Sequence, residues 1–331
     1  GTNTVGGLQI TTTATSNIGL GAGAVDSITT GDYNVGLGDS ALTDNTTGSS
    51  NTGVGRMALF ENTTGSSNTS VGMNSMLDNT TGGSNVAVGE SALGNNTTGA
   101  ENVSVGANSL ETNTTGASNV AMGWKALASN TTAGSNTGLG NEALRLNTTG
   151  ANNTAVGARS LYVNTTGAEN VALGSISLDA NTSGSWNTAI GYASMTTNTD
   201  GGDNTAVGHY SLYTNTTGDF NTALGIQALR LSTTASNNTS VGAYSLAANT
   251  TGTEGAALGF EALKSNTTGH SNVGIGNEAL ENNTTASSNT AVGTKSLRAN
   301  TTAGHNTAVG NEALKANTTG TNNVAVGSAA L

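Results

Sequence analysis

The chain repeats one short pattern of apolar and polar positions with a period of 17 residues. Its most regular mark is a glycine behind an aliphatic residue, met at Gly21, Gly38, Gly55, Gly72 and onward to Gly327 without insertion or deletion. With that glycine as position 17, position 16 is aliphatic or Met (Leu20, Val54, Met122, Ile190, Val326) and position 15 is Gly, Ala or Ser. Position 14 is Thr, Val or Ile except at Ala256, and position 13 is Asn except at Gly255. Two variable residues follow the glycine. Position 3 is then Ala or Ser, and position 4 is Leu, replaced only by Val25, Met76 and Met195. Positions 7 to 10 read Asn-Thr-Thr-Gly, as in Asn45-Thr46-Thr47-Gly48, with departures such as Ile28, Ser183, Asp200, Ser232, Ala133 and Ala286.

Seventeen residues are too few for a helix-turn-helix unit, whereas the alternation across positions 13 to 17 has the period of a strand. The pattern predicts positions 14 and 16 pointing inward, joined by Leu at position 4 from a second short strand. Leu59, Val71, Leu93 and Val105 then lie inside. Glycines at positions 10 and 17 are expected at corners with positive φ. Asn at positions 7 and 13 is expected at left-handed turns, and stacked copies should form Asn and Thr ladders. There is no proline to remove a ladder donor. The predicted fold is all-β: a parallel β-solenoid or β-roll of nineteen 17-residue coils over residues 17–331. Residues 1–16 match only loosely and read as an atypical N-terminal cap or join.

On that reading position 15 faces away from the core. Its uniformly small residues suggest the close approach of another backbone, with Ala155, Ala189 and Ala223 as candidate chain–chain contacts. The energetics point the same way. Burying two or three aliphatics per coil falls short of the backbone entropy of ordering seventeen residues. A self-assembled fibre is therefore expected, never a lone monomer.

Composition narrows the classes. Charged residues make up 9% and aromatics 3% of the 331 residues, too few large side chains for two compact globular cores. The formal net charge is −11 and there is no basic run, so nucleic acid is excluded as the expected partner. No stretch is long and apolar enough for insertion in a membrane. With no cysteine there is neither a disulfide framework nor a thiolate metal site. The chain starts at Gly1 and reads as a mature product or a piece of something longer.

The segments Asn306-Thr-Ala-Val-Gly310 and Asn323-Val-Ala-Val-Gly327 resemble the head repeats of trimeric autotransporter adhesins, and repeats of phage tail-fibre and related surface-fibre proteins. The resemblance covers residues from about Asn17 to Leu331. It implies a left-handed parallel β-roll, three chains around one axis, and a role in surface attachment. The adhesin-head coil is a few residues shorter, and the Asn-Thr-Thr-Gly loop is the added corner. The expected location is extracellular, at a cell surface or on a virion tail fibre, with a host-cell surface glycan or protein as partner.

Candidate chemistry is sparse. All charged residues but Asp200 occupy the variable positions 1, 2, 5, 6, 11 and 12, as solvated corners would. His209, His270 and His305 fall in separate coils, and no carboxylate pair recurs, so neither an enzyme, a metal site nor a cofactor is expected. Gly19-Leu20-Gly21-Ala22-Gly23 lacks the following helix of a phosphate loop. All aromatics are at variable positions. Trp186, Tyr192, Tyr210, Tyr213 and Phe220 cluster in sequence and are the candidate glycan or partner contacts. Asn45 and Asn62 head glycosylation sequons, set against a plain turn-and-ladder role. Two alternatives to an adhesive fibre stand: a phage tail-fibre shaft, and an ice-binding solenoid suggested by the invariant Thr at position 8. A depolymerase with its active site outside this piece is a distant third.

Overall fold

The computed structural model describes residues 3–5, 8–10 and 15–331. Of the expected cap, 1–16, the remainder lies outside the described residues. The chain forms two compact units, Gly1–Gly167 and Ala168–Leu331. Both are built from the same 17-residue coil, and the described elements are all strands.

In the first unit, β1 (Asn3–Val5) and β2 (Leu8–Ile10) pair antiparallel. β2 then lies antiparallel on β3 (Ile18–Leu20), with Leu8 opposite Leu20, so a hairpin covers the first edge of the coil ladder. From β3 to β11 (Thr154–Val156), three-residue strands stack in parallel at a register of 17, as in Ile18 opposite Val35 and Thr137 opposite Thr154. In the second unit the same ladder runs from β12 (Val171–Leu173) to β21 (Val324–Val326).

Hydrogen bonding between coils is not confined to the strands. In the coil 39–55, Leu42 N–H donates to Ala58 O (3.0 Å), Thr46 N–H to Thr63 O (2.9 Å) and Ser50 N–H to Asp32 O (2.8 Å). Nearly the whole circuit of backbone is thereby satisfied, as a coil made mostly of turns requires.

The inside of the coil differs from the expected one. Position 15 points inward: Ala155, Ala189 and Ala223 are fully buried within their own chain. Positions 14 and 16 point outward, and Val71 is 36% exposed while Val105 is half-buried. Leu59 and Leu93 are inside, as expected. The reason is the size of the interior. Each coil places its single large apolar side chain, the position 4 Leu, across a narrow lumen, and position 15 meets it from the opposite wall. A Cβ added to Gly53 would stand 3.1 Å from Ala58 O and 3.4 Å from Leu42 Cγ, so nothing larger than Ser fits. The small residues of position 15 thus answer to the chain's own core and give no sign of a second chain.

The turns differ as well. Gly at position 17 has the expected positive φ, from 127° at Gly191 to 140° at Gly21. The other left-handed residues are at positions 2, 4 and 12, such as Ser40 (57°), Leu42 (56°) and Ser50 (59°), not at the asparagines of positions 7 and 13 or at position 10. Gly48 at position 10 serves a close approach instead. A Cβ there would lie 2.3 Å from Gly65 O and 2.4 Å from Asn45 Oδ1.

Candidate functional site

The two asparagines of each coil are buried and form amide ladders. Asn51 at position 13 donates its Nδ2 to Gly65 O (2.8 Å), and its Oδ1 accepts from the backbone N–H of Asn68 (3.0 Å). Asn62 at position 7 donates to Gly65 O (3.0 Å) and to Asn45 Oδ1 (2.8 Å). The position 10 carbonyl therefore holds two amides, one from its own coil and one from the coil before. This arrangement explains the near-invariant Asn, because a buried amide left unpaired costs more than an ordinary hydrogen bond contributes. It also bears on the sequons. Asn45 and Asn62 are fully buried, and the Nδ2 that would carry a sugar is engaged in the ladder. The same triplet recurs at Asn95, Asn152, Asn237 and Asn282, whose side chains are exposed at positions 6 and 12.

Thr at position 8 is held by the same logic. Its hydroxyl donates to the position 8 carbonyl of the next coil, as Thr46 Oγ1 does to Thr63 O (3.0 Å). The Thr rank behind the ice-binding expectation is half-buried and its hydroxyls are occupied along the ladder.

The five aromatic candidates separate into two groups on different corners of the second unit. Trp186 and Phe220, both at position 12, are each 60% exposed, and Trp186 Nε1 donates to Glu169 Oε2 (3.1 Å). Tyr192, Tyr210 and Tyr213 gather elsewhere, around positions 1, 2 and 5. Tyr210 meets Tyr213 edge-on at 5.0 Å and Tyr192 at 5.8 Å. His209 completes that group, 5.5 Å from Tyr192 and 4.0 Å from Tyr210 between ring centroids. The sequence signal for His209 is its spacing of 17 from Tyr192, which puts both at position 1.

All basic residues except Arg56 fall at positions 2 and 5, which share a corner. Within a coil these positions pair as Arg145–Glu142 (2.6 Å), Lys264–Glu261 (2.8 Å) and Lys315–Glu312 (2.7 Å). Between coils, Arg298 bridges Glu281 (2.6 Å) and Glu278 (3.0 Å). The hydrogen bond it donates to Glu261 holds the Lys264 ammonium above its ordinary pKa, and the one accepted from Lys315 holds the Glu312 carboxyl below its own. Asp200 accepts from Ser183 Oγ (2.6 Å) and Thr182 Oγ1 (3.1 Å), and its pKa is lowered chiefly by the Ser183 contact.

Among the described residues no cluster of three His, Cys, Asp or Glu side chains is placed to hold a metal ion. No helix among them is long and apolar enough to cross a membrane. Comparison with protein-family models, with curated proteins and with solved structures gave no match.

Proposed function

We propose that the chain is a structural segment of an extracellular fibre or adhesin, whose copies associate side by side to present a surface for attachment. The observation that carries this reading is the outer face of the strands. Position 16 is aliphatic or Met in every coil and no charge occurs at position 14 or 16. Met122, Leu258 and Ile275 are 44%, 50% and 37% exposed on it. A three-residue strand about 10 Å long, at about 4.8 Å spacing, gives roughly 50 Å² of flat face per coil. The nine parallel strands from β3 to β11 then offer roughly 430 Å² in the first unit alone. Position 14, beside position 16, is Val or Ile in five of those nine strands and Thr in four, so the face is uncharged and largely apolar, of a size at which such patches are often functional.

The partner this face suits is another copy. Ridges of Val, Leu and Ile repeating at the strand spacing interdigitate best with ridges of the same spacing and the same lack of charge. Three copies around an axis is the arrangement implied by the resemblance to adhesin heads, and a tail-fibre shaft is the runner-up setting for the same assembly. Sedimentation equilibrium of the chain and of the triple variant Val71→Lys, Val88→Lys, Val105→Lys tests the reading. The unaltered chain should sediment as an oligomer and the variant as a folded monomer. A folded, monomeric unaltered chain would refute it.

A further inference from the structure

The second unit carries a groove of about 590 Å³ on the corner of positions 2, 5 and 6. It has a simple origin in sequence. The coil 243–259 has Ala247 and Ala248 at positions 5 and 6. The coil before it has Arg230 and Leu231 there, and the coil after it has Lys264 and Ser265. Two small residues between two ridges of longer ones leave a notch, whose ridges stand about 10 Å apart at two strand spacings. Tyr244, at position 2 of the short coil, forms one wall between Gln227 and Glu261. Its ring is braced edge-on against Phe260 at 6.1 Å and 84°.

The polar groups at this notch are unequal. Lys264 is compensated by Glu261 at 2.8 Å. Arg230 reaches only the neutral Gln227 Oε1, at 3.4 Å, and makes no ion pair among the described residues. An exposed guanidinium without a carboxylate is notable in a chain of net charge −11. Its planar fork of donors matches a carboxylate or sulfate. The Tyr244 ring supplies an apolar face with a polar tip, and the alanine methyls an apolar floor. Glu261 and Gln227 add acceptors and a donor for hydroxyls.

We propose that this groove binds an acidic saccharide, a pyranose chain carrying carboxylate or sulfate groups. One sugar ring lies against Tyr244 over Ala247 and Ala248, and its anionic group pairs with Arg230. Nucleic acid, the other common polyanion with stacking rings, is disfavoured because it needs a track of cations for successive phosphates, whereas the groove offers one uncompensated cation and the chain has no basic run. The inference goes beyond the fibre reading and does not depend on it, because the groove lies within one chain and off the face formed by positions 14 and 16.

Isothermal calorimetry on the full chain tests it, with oligogalacturonate, sulfated dextran and neutral dextran as probes. One or both acidic probes should bind and neutral dextran should not; which acidic probe binds tells carboxylate from sulfate. Arg230→Gln should weaken binding about tenfold or more, the loss of a charge-assisted hydrogen bond. Tyr244→Ala should also weaken it, and Ala247→Leu, which fills the floor, should abolish it while leaving the circular dichroism unchanged. Trp186→Ala, on another corner, should bind as the unaltered chain does. Equal affinity for neutral dextran, absence of binding to either acidic probe, or full binding by Arg230→Gln and Ala247→Leu would each overturn the proposal. None of these outcomes depends on the state of association, which sedimentation reports separately.

Discussion

Ser232 occupies position 7, where every other coil after that of Ile28 carries Asn, and it breaks a ladder that otherwise runs on from Asn45. Two polar atoms are left buried without partners there: Ser232 Oγ, and Oδ1 of Asn215 one coil earlier. In the intact ladder that Oδ1 accepts from the next position 7 amide, as Asn113 Oδ1 does from Asn130 Nδ2 (2.8 Å). The coil of Ser232 has Ala235 at position 10, but Asn130 shows that Asn at position 7 works with Ala at position 10, donating to Ala133 O at 3.0 Å. Ser232→Asn should therefore stabilise the protein. Two new donations, to Asn215 Oδ1 and Ala235 O, contribute about 1 kcal/mol each, and relieving the stranded carbonyl adds about 1–3 kcal/mol. Ordering a longer side chain costs part of this, so the expected gain is about 2–3 kcal/mol. Asn113→Ser, which makes the same defect in an intact rung of the first unit, should lose a similar amount. Repeat proteins need not unfold in one step. The assay is therefore hydrogen exchange of the amides of Thr216 and Thr233 together with urea denaturation. Slower exchange and a higher midpoint are expected. An unchanged or lower midpoint for Ser232→Asn would show that the ladder amides are not what stabilises the coil.

Gly255, the one departure from Asn at position 13, offers no side-chain acceptor to the Asn272 N–H. Gly255→Asn should raise the urea midpoint, by about 1–2 kcal/mol from the restored bonds and the reduced freedom of the unfolded chain. Leu110→Ala removes the one large apolar side chain in the interior of its coil and should cost about 3–5 kcal/mol, whereas Val105→Ala on the outer face should cost about 1 kcal/mol or less in the dissociated chain. Equal losses would mean that Val105 points inward after all. The Asp200 carboxyl has a folded pKa below its unfolded value, so its contribution is present above the ordinary carboxylate pKa and fades as pH falls through the depressed one. Asp200→Ala should accordingly lower the melting temperature slightly at neutral pH and not at all in strong acid. A deficit that persists in acid would place the role of Asp200 elsewhere.

The period, the parallel register and the ladders were legible in the chain because stacking makes every coil meet its own copy. The fixed phase of 17 states the register, and buried Asn in column is a request for an amide partner. Left-handed backbone was less legible. Propensity assigns it to Asn and Gly. In this coil the asparagines are committed to the ladder and Gly48 to close stacking, so the turns fall on Ser40, Leu42 and Ser50 at their own conformational cost. The groove near Tyr244 was hidden for another reason. It depends on which residues are adjacent in column, Arg230 and Lys264 across Ala247, not on any motif along the chain.

Which face of the strand lies inside does not follow from the alternation alone. A period of two fixes that positions 14 and 16 share a face opposite position 15, but the alternation is silent on which face is buried. Hydrophobicity favours 14 and 16, and volume decides for 15. The deciding signal was present in the exchanges each position accepts. Position 14 alternates freely between Thr and Val, as in Thr52, Thr69, Val86 and Val103. In a core that exchange is costly, because it buries a hydroxyl without a partner at nearly constant volume. On a half-exposed face it is nearly neutral. Position 15 accepts only Gly, Ala and Ser, and its serines find partners inside: Ser104 donates to Ser109 O at 2.8 Å. A position strict in volume and indifferent to a satisfied hydroxyl lies in a narrow interior, while one strict in shape and indifferent to polarity lies at a surface that water still reaches. Read this way, the aliphatic constancy of position 16 is the unexplained term for a single chain, since an outward Val needs no conservation of type for folding. A second copy packed on that face, as proposed above, would supply the missing reason. It also moves the expected chain–chain contact from Ala155, Ala189 and Ala223 to the columns on either side of them.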